Sequence, residues 1–226
     1  MTKFAAIKGF VFDLDGVITQ TSKYHSRAWH QLADELGVTW TDELAEQLKG
    51  ISRMDSLEMI LRAGGKENNY SEAEKEKLAA KKNTNYLESL DSMTDADILP
   101  GIKDFLDELT AAHYQISLAS ASKNSPMVLE KLALASYFPK VVDPATLSKG
   151  KPDPEIFLRG AELLGLKPEQ CVGVEDAVAG VQAINAAGEL SIGIGDSATL
   201  HEADIVFATT EGLTLAAIEK AMKQLA

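Results

Sequence analysis

Cysteine is nearly absent: Cys171 is the sole one in 226 residues. An internal disulfide is excluded, and the thiol content fits a reducing cytosol, so a cytoplasmic protein is expected. Cys171 lies in an apolar run, where a thiol is expected to be buried rather than reactive. Basic residues are in deficit, 22 Lys+Arg against 34 Asp+Glu, for a net charge of −12. That balance argues against nucleic-acid binding, which needs a basic face. It also requires any anionic substrate to be met by a local cluster of cations working against the overall field. Long hydrophobic runs are missing as well. The stretch 1–9 is interrupted by Lys3 and Lys8, and neither a signal peptide nor a membrane-spanning segment is expected. What remains is ordinary globular composition, 45% hydrophobic and 25% charged, enough for a core domain with a smaller inserted one.

The most informative segment is Phe10-Val-Phe-Asp13-Leu-Asp15-Gly16-Val-Ile-Thr19. A short apolar run ends in two carboxylates spaced two apart. Side chains at i and i+2 of an extended segment share a face, so Asp13 and Asp15 are expected to address one site. Paired carboxylates bind a hard divalent cation or divide nucleophile and acid/base duties. Gly16 lets the backbone turn away directly after them. A plain strand-to-loop turn is the bland alternative, since Asp and Gly are common in turns.

Further β-like runs end in small or polar residues. Ile7–Phe12 runs into Asp13, Gln115–Ala119 into Ser120, and Cys171–Val174 into Glu175-Asp176. Leu190–Ile194, Asp204–Phe207 and the short Val141-Val142 complete the set. Helical stretches lie between them, at about Ile102–Ala112, Pro126–Leu134, Pro154–Leu164 and Ala177–Ala187. This alternation predicts an α/β fold, a doubly wound Rossmann-like parallel sheet covered on both faces. Such sheets bind ligands beyond the carboxyl ends of their strands, where the carboxylates, hydroxyls and a lysine fall here. The interval from about Thr21 to Asp91 has no convincing strand. It reads as helices Tyr24–Leu36, Asp42–Leu48, Arg53–Ala63 and Ser71–Leu90, stopped by Gly37, Gly50 and Gly64-Gly65. An all-α cap domain over 21–94, inserted into a core of 1–20 and 95–226 and able to hinge over the site, is the expected organisation.

Asp-x-Asp-Gly on the first strand, Ser120 after the second, Lys151-Pro152 before a helix and Glu175-Asp176 after another strand occur in that order. The set resembles the haloacid dehalogenase superfamily of phosphoryl-transfer enzymes, over the whole chain. The resemblance narrows to the β-phosphoglucomutase family. It is carried by Thr19–Trp29, Gln47–Ser56, Lys82-Asn83-Thr-Asn85-Tyr86, Leu118–Asn124 and Asp143-Pro144-Ala. It implies Asp13 as the nucleophile that becomes an aspartyl phosphate and Asp15 as general acid/base. It implies Mg²⁺ held by the Asp13 carboxylate, the Asp15 backbone carbonyl and Asp176, with Glu175 in or beside that shell. Ser120 and Lys151 would bind the transferring phosphoryl group, and Arg53 the distal phosphate. Lys49, Gly50, Ser56, Ser122 and Asn124 would line the sugar, with Lys123 beside them. His25 with Lys82 would position cap and substrate, and Thr21 would orient the hinge. Gln20 and Ala177 depart from the family pattern, which commonly has an acid and a serine there.

Bland readings stand beside several of these. Lys49-Gly50 is also an ordinary helix carboxyl end, Glu175-Asp176 an ordinary helix start, and Thr21 an N-cap. His25 is equally readable as a surface histidine and Trp29 as packing. Lys149 competes with Lys151, which alone precedes a proline. His30, His113 and His201 have no companions that mark a site. The activity expected is interconversion of β-glucose 1-phosphate and glucose 6-phosphate by a monomer acting on small sugar phosphates, without nucleic acid or membrane. A sugar-phosphate phosphatase on the same scaffold is the alternative. A non-catalytic sensor would have lost an essential carboxylate, whereas Asp13, Asp15 and Asp176 are all present.

Overall fold

Phe10, Val11 and Phe12 are buried on both faces, the pattern of a strand inside a parallel sheet. The computed structural model describes residues 4–48 and 51–225. In it Gly9–Phe12 forms β1, Gln115–Leu118 β2, Lys140–Val141 β3, Cys171–Glu175 β4, Leu190–Ile194 β5 and Ile205–Phe207 β6. Among the described residues these make one parallel sheet in the order β3-β2-β1-β4-β5-β6. β1 is central, with Gly9 opposite Gln115 on one side and Cys171 on the other. The strand order reverses between β1 and β4, the crevice where doubly wound sheets bind ligands. The expected parallel α/β fold is therefore present.

Contacts divide the chain into two compact units, Met1–Gln20 with Thr94–Ala226, and Thr21–Met93. The second unit is helical: α1 (Ser22–Glu35), α2 (Asp42–Gln47), α3 (Arg53–Ala63) and α4 (Glu72–Ser89). Trp29 and Leu32 of α1 pack with Leu57, Ile60 and Leu61 of α3 and with Ala79 of α4. Full burial of each such aliphatic side chain stabilises the unit by ~1.5–3 kcal/mol. The inward face of α4 is unusual in kind: Lys75, Ala79, Lys82 and Tyr86 recur at helical spacing, and two of the four are lysines. Lys75 is met by Glu58 at 2.6 Å and Glu72 at 3.1 Å.

In the first unit the helices are α5 (Ile102–Ala111), α6 (Ser125–Lys131), α7 (Glu155–Leu164), α8 (Val178–Ala187) and α9 (Leu215–Gln224). Side chains of β1 alternate between the two faces. Phe10 and Phe12 meet Phe105 of α5 edge-on, at 5.6 and 6.1 Å between centroids. Val11 points the other way, into a cluster with Phe157 and Ala161 of α7 and Ile184 of α8. The chain segments that leave and re-enter this unit are stitched together, since Thr19 Oγ1 donates to the Asp97 carbonyl at 2.7 Å and the Leu99 amide to the Ile18 carbonyl at 2.9 Å.

Element boundaries differ from expectation by one to three residues, α6 closing at Lys131 and not Leu134, and one helix is unanticipated. β1 starts at Gly9 and not Ile7, because Phe4–Ala6 is a 3₁₀ turn that feeds the strand late. β3 is Lys140–Val141 and not Val141-Val142. Helix α9 has no counterpart in the sequence reading. It is capped by Thr214, whose hydroxyl accepts from the Ala217 amide at 3.1 Å, and it buries Ile218 and Met222.

Cys171 is buried, and its thiol is pushed up to about 12 by burial and then by the charges of Glu189 and Glu169. Glu189 is the discordant group of this region. It is 4% exposed, both carboxylate oxygens are buried without a hydrogen-bond partner, and burial drives its pKa well above the ordinary value of 4.5. A carboxyl whose pKa is raised on folding contributes stability that is complete below its unfolded pKa and lost as pH rises through the folded one. Glu189→Gln is therefore expected to match wild type in acid and become increasingly more stable than it as pH rises above 4.5. The gap should widen with pH as long as the buried carboxyl stays protonated, because over that range only the unfolded chain ionises it. Urea unfolding of both proteins across pH checks it; a gap that narrows with rising pH overturns it.

Candidate active site

β1 ends one residue before Asp13, whose amide donates to the Val174 carbonyl of β4 at 2.9 Å. Asp13 is thereby fixed beside the carboxyl end of β4, at the point where the strand order reverses. β4 closes with Glu175, and Asp176 follows. Two glycines make room for these acids. Gly16 turns the chain at φ +73°, and a Cβ there would lie 1.9 Å from Asp176 Oδ2. A Cβ on Gly180, in the first turn of α8, would lie 2.1 Å from Glu175 Cδ. Gly16 is thus required twice, for its backbone conformation and for the space that Asp176 fills.

Asp13, Glu175 and Asp176 each offer an oxygen within 4.8 Å of the others. Lys151 sits among them with its side chain 2% exposed. Its Nζ lies 2.5 Å from Asp13 Oδ1 and 3.0 Å from Glu175 Oε2, and it rests on the Phe157 ring at 5.1 Å. Burial alone would lower the Lys151 pKa, but the charges of Asp13 and Glu175 outweigh it and hold the ammonium above its ordinary value. Glu175 is pushed well above the usual carboxylate range by burial, then by the neighbouring Asp13 charge. Three carboxyl groups face one lysine, a deficit of cationic partners. Hard oxygen donors with that deficit fit a divalent cation of the Mg²⁺ type. Lys149, the competing lysine, is exposed and pairs with Asp153 at 3.5 Å.

Asp15 is half-buried, beyond the end of β1, where it forms an isolated bridge with Thr19. The two-residue alternation of a strand therefore does not link it to Asp13, and its carboxylate is outside the three-acid group. β2, next to β1, runs through Ala119 into Ser120, which is 3% exposed. Ser120 Oγ accepts from the Ser122 amide at 3.1 Å, and Ser122 Oγ from the Asn124 amide at 3.3 Å. These two hydroxyl turns shape the loop that carries Lys123, which is exposed, and Asn124, which precedes α6.

The second unit holds its own cationic group. Lys82, 2% exposed, donates to His25 Nδ1 at 2.8 Å and lies 4.6 Å over the Trp29 ring and 5.0 Å over the Tyr86 ring. His25 stacks on Tyr86 at 4.0 Å. Burial, then the charges of Lys82 and Arg53, hold the imidazole well below its usual pKa, so it is neutral and accepts from the ammonium. His25 is accordingly no surface histidine. Trp29 is both core packing and a lid on Lys82. Tyr86 and Trp29 join this group, although the sequence reads Trp29 as packing and assigns Tyr86 no role. The signal was there: Trp29 lies four residues after His25 and Tyr86 four after Lys82, which puts each pair on one helix face.

Arg53 opens α3, and its Nη2 donates to Asn83 Oδ1 at 2.9 Å. Burial lowers its pKa. Ser56 is 2% exposed and its hydroxyl donates to the Ser52 carbonyl at 3.0 Å, so it is engaged within its own helix. Thr21, fully buried before α1, makes no side-chain cap hydrogen bond; its carbonyl accepts from the amides of Tyr24 and His25. The N-cap reading of its side chain is therefore set aside. Lys49 and Gly50 lie outside the described residues. Among the described residues no helix is long and apolar enough to cross a membrane.

Residues 7–188 match the model of the haloacid dehalogenase-like hydrolase family. The β-phosphoglucomutase of Bacillus subtilis is 43% identical over 218 residues, 96% of each chain. Hexitol phosphatase A of Escherichia coli is 33% identical over 92% of this chain and 94% of its own. Among solved structures, the β-phosphoglucomutase of Clostridium difficile superposes with a TM-score of 0.94 at 42% identity, covering 96% of this chain and 98% of that one.

Proposed function

The chain belongs to the haloacid dehalogenase-like hydrolase family, and from that premise we propose that it interconverts β-D-glucose 1-phosphate and D-glucose 6-phosphate. The route is β-glucose 1,6-bisphosphate and an enzyme phosphorylated on Asp13. The observation that carries phosphoryl transfer is Lys151, braced between Asp13 and Glu175 beside the Asp176 carboxyl group. A fixed buried cation next to a nucleophilic carboxylate is placed for the charge that builds on the equatorial oxygens of a transferring phosphoryl group.

Asp13 attacks phosphorus; the new Oδ–P bond forms as the bond from phosphorus to the sugar oxygen breaks. Asp15 gives that leaving oxygen its proton, and takes one from the other sugar hydroxyl when the phosphoryl group is returned. Lys151 and Ser120 hold the non-bridging oxygens. The neutral His25 on Lys82 orders the second unit, and Arg53 takes the phosphate that is not reacting. Mg²⁺ would be held by the carboxylates of Asp13 and Asp176 and the Asp15 carbonyl, with Glu175 beside them, and when bound it supplies the positive charge that the acid cluster lacks. Chelation should therefore abolish turnover, and Asp176→Ala should raise the Mg²⁺ requirement strongly. Turnover that persists in a chelator would count against the site.

Arg53 separates the mutase from a phosphatase. A reorienting bisphosphate has a second phosphate to hold, whereas water attacking the aspartyl phosphate needs no such anchor. Arg53→Ala is expected to cut isomerisation roughly ten- to a hundredfold, the worth of a charge-assisted contact, and to leave hydrolysis of the aspartyl phosphate near wild type. Isomerisation and phosphate release measured side by side decide it. Wild-type phosphate release faster than isomerisation, or an Arg53→Ala enzyme that isomerises normally, favours the phosphatase.

A further inference from the structure

Half-buried guanidinium groups are usually met by carboxylates, because an uncompensated charge loses its hydration. Arg53 is not. Among the described residues its hydrogen-bond partner is the amide oxygen of Asn83, and it forms no ion pair. Asp55, the acid in the same helical turn, is engaged with Ser52: its Oδ2 accepts from the Ser52 hydroxyl at 2.5 Å. Arg53 also stands at the first residue of α3, where the helix dipole favours an anion and disfavours a cation. Lys82 is a second cation of the same neighbourhood, since its charge and that of Arg53 both act on His25.

An amide acceptor does something a carboxylate cannot. It fixes one donor of the five-donor fork while adding no negative charge. The guanidinium stays oriented, and its full charge remains for an anion from solution.

We propose that Asn83 is a positioning residue for Arg53, a neutral brace that aims the guanidinium while preserving its charge, and so sets the preference for a doubly phosphorylated sugar. The inference rests on the proposed role of Arg53 at the second phosphate. Asn83 holds the fork from α4, across the α3–α4 packing, without touching the sugar phosphate itself. It lies next in sequence to Lys82, so one turn of α4 sets two cations at once.

Asn83→Asp is nearly isosteric and replaces the neutral acceptor with a carboxylate that pairs with Arg53. It is expected to raise the KM for β-glucose 1,6-bisphosphate roughly tenfold or more, with a smaller change in kcat and with aspartyl-phosphate hydrolysis unchanged. Asn83→Ala, which adds no charge, should raise the KM less. The double variant Arg53→Ala/Asn83→Asp should be no worse than Arg53→Ala alone, since Asn83 acts through the guanidinium. A purely structural role would instead lower stability and add to Arg53→Ala. Wild-type KM values in Asn83→Asp alongside an impaired Arg53→Ala overturn the brace and leave the mutase reading standing, as does additivity in the double variant. Normal isomerisation by Arg53→Ala overturns the proposed role of Arg53, and the brace with it.

Discussion

Asp13→Asn is expected to abolish isomerisation while leaving the protein folded. An amide cannot form the acyl phosphate, while Glu175 is buried against Lys151 and Asp176 is assigned to the cation. The fold should tolerate the change for an electrostatic reason. After burial, the Asp13 charge is the largest contributor that raises the Glu175 pKa, so removing it lets Glu175 ionise more readily against Lys151. The two-acid, one-lysine arrangement becomes a one-to-one pair. Thermal unfolding should shift little, and acid-quenched protein incubated with a phosphate donor should carry no label. More than a trace of turnover in cleanly purified Asp13→Asn protein would remove Asp13 from its role.

Asp15→Asn should be the next most damaging change, by ~10²–10⁴-fold, the usual worth of a positioned acid/base. The loss should fall on steps in which a sugar oxygen gains or loses a proton. Metal affinity should be retained, because the Asp15 carboxylate stands apart from the three-acid cluster and its proposed contribution to the cation is a backbone carbonyl. Rapid-quench measurement of phosphoryl transfer from Asp13 to glucose 6-phosphate, paired with a Mg²⁺ titration, tests both halves. Collapse of Mg²⁺ affinity with a nearly normal transfer rate would require the two roles to be exchanged.

How far these residues were legible in the sequence depended on the range of the interactions that place them. Asp13, Ser120 and Glu175-Asp176 could be read because each ends an apolar run, a local signal. That these ends lie on neighbouring strands follows from the sheet order, in which β2 and β4 flank β1, and no local pattern specifies that order. The preference for Lys151 over Lys149 rested on one proline; burial of Lys151 between two acids supplies the physical reason. The inference that Asp13 and Asp15 share a strand face assumed that the strand continued past Phe12. Gly16 and the bridge from Asp15 to Thr19 show the chain already turning. Helix α9 carries a local signal in Thr214 and the spacing of Leu215, Ile218 and Met222, but it lies after the last strand, where no crossover requires a helix. Helical spacing puts Lys82 on one face with Tyr86, but its meeting with Trp29 joins two helices and has no local signature.

The central position of β1 also bears on how the chain acquires its structure. Asp13 and Lys151 are 138 residues apart, and closing a loop of that length costs ~4 kcal/mol of chain entropy before any contact offsets it. The helices of Thr21–Met93 close on themselves within one continuous stretch. Contacts so local form in microseconds to milliseconds, and long-range parallel pairing takes roughly milliseconds to seconds. During synthesis at ~5–20 residues per second, β1 emerges about ten seconds or more before β4 exists to pair with it. Phe10, Val11 and Phe12 then wait as an unpaired apolar edge, so the segment that carries the nucleophile is also where a nascent chain is most exposed to misassociation and to capture by chaperones.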